Sequence, residues 1–393
     1  MSVEQVFLPY AKPCIESTDI QEVVKSLNSD IITRGPLVEA FESAMTYSCN
    51  VKYAVAFNTG TAALMGAYFA ANLSSYDRLI TTPNTFTATV GSAVQKGVNP
   101  IFLDIDRSSG NFNLSHLAFT LEKPFSRGRT CIAPVHFAGI PLDMQKLDQL
   151  IRDPETVIIE DAAHALGSVY KTGEKVGSCA WSHMTVFSFH PVKTITTGEG
   201  GMVTTNDEAF YHRLKLFRNN GIEREKPYLE GDVAPWFYEV QELTGNYNFT
   251  EFQAALGLSQ LARLDQIVEK RRSLMKLYRE LLKDIPHLRL FSADYDEQTC
   301  YHLCVIQVDF KAYKTDRTTI MNRLKERNIG TQVHYIPVYK HPYFKKMCGE
   351  ISEYFPETEQ YYAEALSLPL YYDLKEEDVR RVVSDLKKVL MND

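Results

Sequence analysis

The stretch TVFSFHPVKTITTGEGGMV, Thr185 to Val203, changes character in its middle. It opens with strand-forming residues, Val186, Phe187 and Phe189, broken by one small hydroxyl, Ser188. Pro191 then withholds a backbone donor and turns His190 away from helix. Lys193 is therefore expected on an irregular segment, before the chain turns through Gly198, Glu199, Gly200 and Gly201. An amine among Phe187, Phe189, Val192 and Ile195 is partly desolvated, which lowers its pKa and frees the neutral, nucleophilic form for a Schiff base. A lysine taken alone is more often a solvated surface residue, so its assignment depends on what surrounds it.

Upstream, Thr156 to Ile159 is an apolar strand ending in Glu160 and Asp161, followed by AAHALG. Successive strand residues point to opposite faces, so only one of these acids can face a given site. Asp161 is the choice, with His164 near it; the other reading of Asp161 is an N-cap of the next helix. The strand Tyr53 to Phe57 runs into Asn58, Thr59, Gly60 and Thr61 and then the helix-forming AALMGAYFAA. Such a junction aims N–H groups and hydroxyls at a phosphate above the helix N-terminus, or simply caps the helix through Asn58 or Thr59. The strand Arg78 to Thr82 leads to a loop carrying Phe86, an aromatic able to stack on a flat cofactor or to fill the core. Further strands at Pro100 to Asp104 and Thr130 to Val135 alternate with helices at about Leu37 to Ser48, Asp143 to Ile151 and Asp207 to Phe217. The alternation predicts an α/β fold with a mainly parallel sheet, whose ligands sit beyond the carboxyl ends of the strands.

From Thr250 to about Asp284 the apolar residues keep a helical period longer than a usual globular helix, which predicts a break before Leu274. A strand Tyr301 to Phe310, a helix Asp316 to Asn328, a strand Thr331 to Tyr335 and a last helix Glu376 to Met391 then read as a smaller α+β domain. The expected division is 1–260 for the large domain and 261–393 for the small one with its linking helix. A chain of 393 residues with 45% hydrophobic content buries a large core, and its formal net charge of -7 disfavours nucleic acid as a partner. No basic start precedes an apolar core, and no run of about 18 apolar residues occurs, so neither secretion nor membrane spanning is expected and a cytoplasmic address follows. Seven scattered cysteines suit a reducing compartment, and no metal is assigned.

Pyridoxal 5′-phosphate joins these features. It needs an amine, a carboxylate for its pyridine nitrogen, a phosphate cup and an aromatic against its ring. Lys193, Asp161, the segment Asn58 to Thr61 with Ser188, and Phe86 supply them. The stretches TRGPLVEAFE (33–42), YAVAFNTGTAALM (53–65), ITTPNTFTAT (80–89), IIEDAAHALGS (158–168), VFSFHPVKTITTGEGGMVTTN (186–206), NYNFTEFQAALGLSQL (246–261) and SLPLYYDL (367–374) resemble the DegT/StrS nucleotide-sugar aminotransferases.

That resemblance implies the type I (aspartate aminotransferase) fold and a transaminase of the EC 2.6.1 class. It implies that Lys193 binds the cofactor and moves the proton, that Asp161 pairs with the pyridinium, and that His164 touches the phenolic oxygen. Thr59, Gly60, Thr61 and Ser188 would hold phosphate and Phe86 would stack. Asn246 would reach the phosphate from a neighbouring subunit, making an obligate homodimer with shared sites. Asn248 stands where the family usually has arginine, which puts that arginine's anion contact in question. Related dehydratases carry histidine in place of the lysine, so Lys193 implies transamination, with L-glutamate as donor and a UDP-linked keto sugar as acceptor. The phrases FSFHPVKTITTGEGG, LKLFRNNGI (214–222) and QVHYIPVYKHPYF (332–344) are similar to the C4 aminotransferases of the pseudaminic acid pathway. They would imply UDP-4-keto-6-deoxy-N-acetyl-β-L-altrosamine as acceptor, with His334 and Tyr335 lining the sugar pocket or serving as structural strand residues. The alternatives are C3 or C4 transfer to another nucleotide-linked keto sugar, or a non-catalytic PLP-binding regulator. No basic helix-turn-helix pattern supports the latter.

Overall fold

A computed structural model describes residues 6–123, 125, 127–231 and 234–391. Seven strands form the main sheet: β1 (Tyr53–Phe57), β2 (Arg78–Thr81), β3 (Asn99–Phe102), β4 (Thr130–Ile132), β5 (Val157–Asp161), β6 (Met184–Ser188) and β7 (Gly201–Thr205), in the order β1-β7-β6-β5-β4-β2-β3. The run from β6 to β3 is parallel, and β7 lies antiparallel to both β6 and β1. The sheet is therefore mainly parallel, as expected. All five residues of β5 are buried, as a strand covered by helices on both faces requires. The carboxyl ends of β1, β2, β4, β5 and β6 converge on one edge.

Strand β4 stops at Ile132 and not at Val135. Pro134 lacks an N–H and can only accept, taking the Asp161 N–H at 2.8 Å; Val135 and Asp161 form an isolated bridge. The helices begin at clear signals. Thr59 accepts the Ala62 N–H to cap Gly60–Ala70, and Asp207 and Asp316 cap Glu208–Arg218 and Arg317–Glu326, each cap being worth about 1 kcal/mol. The long apolar period breaks at Ala262–Arg263, giving helices Glu251–Leu261 and Leu264–Leu282. Arg263 leaves helical geometry while its guanidinium reaches Glu16 and Asp19, both at 2.6 Å. Leu264, Ile267 and Val268 pack into the core beside the main sheet, and Leu274, Leu277 and Tyr278 into a second core.

That second core lies under a small antiparallel sheet. A hairpin of β8 (Ile222–Glu223) and β9 (Glu239–Val240) comes first in the chain, and β10 (Leu288–Leu290), β11 (Cys304–Val308) and β12 (Ala365–Leu368) make the small sheet. The expected strand from Tyr301 begins three residues late because Tyr301 is left-handed, at φ +54°. The final helix Glu376–Met391 closes this core with Val379, Val382, Val383, Leu386, Val389 and Leu390. The strand expected over Thr331 to Tyr335 does not form. Only Gln332 bridges Ser367; Tyr335 then donates its N–H to Asn84 Oδ1 at 3.3 Å and Val338 to Pro83 O at 3.0 Å. His334 and Tyr335 are thus on a connection that crosses from the small sheet to the loop after β2.

Candidate active site

The converging strand ends and the crossing segment 332–336 enclose a cavity of about 720 Å³. Lys193 enters it from the loop after β6. That loop is tied at its neck, where Phe189 N–H donates to Gly200 O at 2.9 Å and Thr197 N–H to Phe189 O at 3.0 Å, while Phe189 and Ile195 are anchored in the core. The amine makes no hydrogen bond or ion pair among the described residues. Burial pushes it down to about 8, with the Asp161 charge pulling the other way, so the neutral form is a minor but accessible population, about a tenth at pH 7.

Asp161 ends β5 on the cavity side. Its Oδ2 accepts the Thr89 hydroxyl at 2.6 Å and its Oδ1 the Ala163 N–H at 3.1 Å. The carboxylate is 6% exposed and forms no ion pair among the described residues. Glu160 points to the opposite face, where His136 Nε2 (2.6 Å), Thr185, Ser182 and Tyr170 surround it. Burial raises the Glu160 carboxyl, but the hydrogen bond and charge of His136, with the Ser182 and Tyr170 bonds, outweigh it and hold the group below its ordinary value. Alternation along one strand thus separates a saturated structural acid from one with lone pairs left for a ligand.

Thr59, Gly60 and Thr61 line the cavity where the helix Gly60–Ala70 begins, with Ser188 beside them. A Cβ on Gly60 would meet Ser188 Cβ and Oγ at 3.0 Å, and one on Gly201 would meet Thr59 O at 2.5 Å. The backbone here is drawn too close for larger residues, and the first N–H groups of the helix have no partner within it. Phe86 caps the helix Thr87–Val94 and is 59% exposed, its ring 6.2 Å from that of Tyr335.

His164 is buried between these parts. Its Nδ1 accepts the Ala138 N–H at 3.3 Å, so Nε2 carries the proton and donates it to the Tyr335 hydroxyl at 3.0 Å. The Tyr335 phenol proton is left for an acceptor in the cavity. His302 packs 4.3 Å from His164, and His334 bonds Ser367 Oγ at 2.8 Å. Burial, reinforced by the nearby Lys193 charge, keeps all three histidines neutral, with His334 pushed down to about 3. His302 Nδ1 is buried without a partner among the described residues.

The cavity brings together Thr59, Gly60, Thr61, Phe86, Asp161, His164, Ser188, Lys193, His334 and Tyr335. Asn246 lies elsewhere. Its Oδ1 accepts from the Asn248 side chain at 2.8 Å, and the same Asn248 amide donates to Asn219 Oδ1 at 3.1 Å. Among the lining residues that the sequence reading did not assign to the site are Tyr10, Thr85, Thr89 and His302. Thr85 and Thr89 flank Phe86 at helical spacing, a signal that could have found them; Tyr10 and His302 arrive from distant segments with no local mark.

Known proteins resemble the chain over its whole length. It is 36% identical to the spore coat polysaccharide biosynthesis protein SpsC of Bacillus subtilis, over 98% of this chain and 97% of that one. It is 33% identical to the UDP-4-amino-4,6-dideoxy-N-acetyl-beta-L-altrosamine transaminase of Campylobacter jejuni, again over 98% and 97%. Among solved structures it superposes on Helicobacter pylori PseC, an aminotransferase of pseudaminic acid biosynthesis, with a TM-score of 0.89 at 29% identity, covering 98% and 100% of the two chains. The Streptococcus pneumoniae sugar aminotransferase Spr1654, solved in PMP and PLP forms, gives 0.87 and 0.86 at 26% and 25% identity over 98% of this chain and 99% of that one. A model of aminotransferases matches residues 13–387, and the chain belongs to the DegT/DnrJ/EryC1/StrS aminotransferase family.

Proposed function

We propose that this aminotransferase carries pyridoxal 5′-phosphate on Lys193 and moves an amino group from L-glutamate to the C4 keto carbon of a UDP-linked 4-keto-6-deoxy-N-acetyl hexosamine. The observation that carries this reading is the pairing, in one cavity, of a desolvated lysine with a buried carboxylate that has only neutral donors. Burying a carboxylate is costly unless a cation meets it; a protonated pyridine nitrogen is such a cation. The cradle at Gly60, where a Cβ would press on the Ser188 side chain at 3.0 Å, fits a phosphate held by helix N–H groups. Bound there, the cofactor supplies an electron sink for the electrons left when a proton leaves the substrate carbon.

The chain's own residues do the rest. The neutral Lys193 amine accepts that proton and, once charged, returns it. Asp161 would keep the ring nitrogen protonated, Phe86 would offer its ring to the cofactor, and the Tyr335 hydroxyl, oriented by His164, would donate to an oxygen acceptor. The C4 position and the UDP sugar rest on the named activity of the Campylobacter relative and on the pathway of PseC. A homodimer is part of the proposal, since Asn246 stands away from this cavity, its Oδ1 held by Asn248, and would serve the site of a second copy. Purified protein loaded with pyridoxal phosphate should lose its visible absorbance on adding L-glutamate and regain it on adding the UDP-4-keto sugar, with a UDP-4-amino sugar as product. Absorbance that glutamate leaves unchanged would reject the donor; recovery only with a different keto sugar would reject the acceptor.

A further inference from the structure

We propose that Thr85 and Thr89 form a hydroxyl relay that positions Asp161 for the ring nitrogen of the cofactor, an inference that rests on the pyridoxal phosphate reading above. Thr89 Oγ1 lies 2.6 Å from Asp161 Oδ2 and 2.8 Å from Thr85 Oγ1. An ionised carboxylate only accepts, so Thr89 donates to Asp161 and its oxygen takes the Thr85 proton; the direction of the chain is thereby fixed. Both threonines are almost fully buried, Thr85 at 2% and Thr89 at 0% exposed.

A local bond competes, because Thr89 Oγ1 also lies 3.2 Å from Phe86 O in the preceding turn. The longer distance and the neutral acceptor make it the weaker of the two; a bond to a charged acceptor is shorter and about twice as strong. The backbone of Thr89 is fixed as well, since the buried Tyr68 hydroxyl donates to Thr89 O at 2.9 Å. Tyr68 belongs to the helix Gly60–Ala70, whose first turn lines the phosphate cradle. One helix therefore carries the cradle, and through Tyr68 and Thr89 it sets the carboxylate. Ala163 N–H holds the other oxygen, which fixes the plane of the carboxylate and leaves its remaining lone pairs toward the cavity. Thr89 is a positioning residue, acting through Asp161 alone.

Thr89→Val and Thr89→Ser, loaded with ¹⁵N-labelled pyridoxal phosphate, test this. Valine keeps the shape and removes the hydroxyl; serine restores it. The ¹⁵N signal of the ring nitrogen should move from its protonated toward its unprotonated position in Thr89→Val and return in Thr89→Ser. The rate of the glutamate half-reaction at saturation should fall about tenfold in Thr89→Val with the apparent glutamate affinity unchanged, as expected when a catalytic group is misplaced. Thr85→Ala, which leaves the Thr89–Asp161 bond in place, should give a smaller shift in the same direction and covers the case in which Thr89→Val does not fold. A ¹⁵N signal identical to wild type in folded Thr89→Val, or in Thr85→Ala if the former does not fold, overturns the relay. Wild-type protein that binds no pyridoxal phosphate overturns the functional reading instead, so the two failures are distinct.

Discussion

Replacing Lys193 by methionine is expected to stabilise the cofactor-free protein. The amine titrates at about 8 against an ordinary 10.5, because burial lowers it and the Asp161 charge restores only part of the difference. One pKa unit is about 1.4 kcal/mol, so carrying the ammonium costs the folded state on the order of 3 kcal/mol. The side chain keeps some exposure to the cavity, and solvent screening trims this to roughly 2–3 kcal/mol. Below about pH 8 both the folded and unfolded chains hold the proton and the cost is fully present. From about pH 8 to 10.5 the folded chain has released it while the unfolded chain keeps it, so wild-type stability climbs toward that of the variant. Methionine retains an unbranched apolar stem without the charge. Urea unfolding at about pH 7 should find Lys193→Met more stable by roughly 2–3 kcal/mol, and the gap should narrow steadily toward about pH 9.5. A variant no more stable than wild type, or a gap that ignores pH, would refute the reasoning.

Other substitutions separate the roles of neighbouring groups. Asp161→Asn keeps the shape that Thr89 and Ala163 hold but removes the charge, and turnover is expected to fall by at least about 100-fold in folded protein; steady-state rates within tenfold of wild type would count against the pyridinium role. Gly60→Ala brings a methyl to 3.0 Å from Ser188, and absorbance titration should show pyridoxal phosphate binding weakened roughly tenfold, about 1.4 kcal/mol, with an unchanged Kd contradicting the cradle. Glu160→Gln leaves several buried donors facing an amide that accepts at only one atom, at a cost of about 3 kcal/mol in denaturant unfolding. Because the Glu160 carboxyl is held below its ordinary value, its stabilisation is complete above the ordinary carboxylate range and lost as pH falls through the folded value; acid sensitivity should therefore be shallower in the variant. Asp19→Ala removes the buried acceptor of Ser259, Gln260 and Arg263, and should cost about 3 kcal/mol and release the helix Ser17–Leu27 to early proteolysis.

The parts of the site that local chemistry announces were legible in the sequence. Pro191 and the glycines after Lys193 mark the end of β6, NTGT marks a strand-to-helix turn, and the adjacent acids Glu160 and Asp161 must face apart. Such signals depend only on backbone geometry within a few residues. Partners from afar left no trace. His136, Tyr170 and Ser182 meet Glu160 only after the sheet is assembled, and Tyr10 and His302 reach the cavity from segments that read as ordinary loop and strand. The stretch Thr331 to Tyr335 departs from the expected strand for the same reason: the Tyr335 N–H goes to Asn84 Oδ1, a partner distant in sequence, in place of a ladder. Asn246 exposes a different limit, since the role suggested for it needs a second copy of the chain.

Three unmet electrostatic demands meet around the cavity. Lys193 is charged against its preference, and among the described residues Asp161 accepts from neutral donors only and His302 Nδ1 has no partner, while on the other face of β5 Glu160 is fully bonded. The saturated side holds the strand rigid, so the strained side cannot relax by moving it. A ligand that brings a cation to Asp161, an anion to the helix N-terminus and an aldehyde to Lys193 would relieve the costs at Asp161 and Lys193 together. Its binding therefore adds to folding stability by mass action, as any ligand selective for the native state must. Stability and the proposed cofactor binding are then coupled through Lys193: the substitution expected to stabilise the empty protein removes the amine on which the proposed cofactor would be carried.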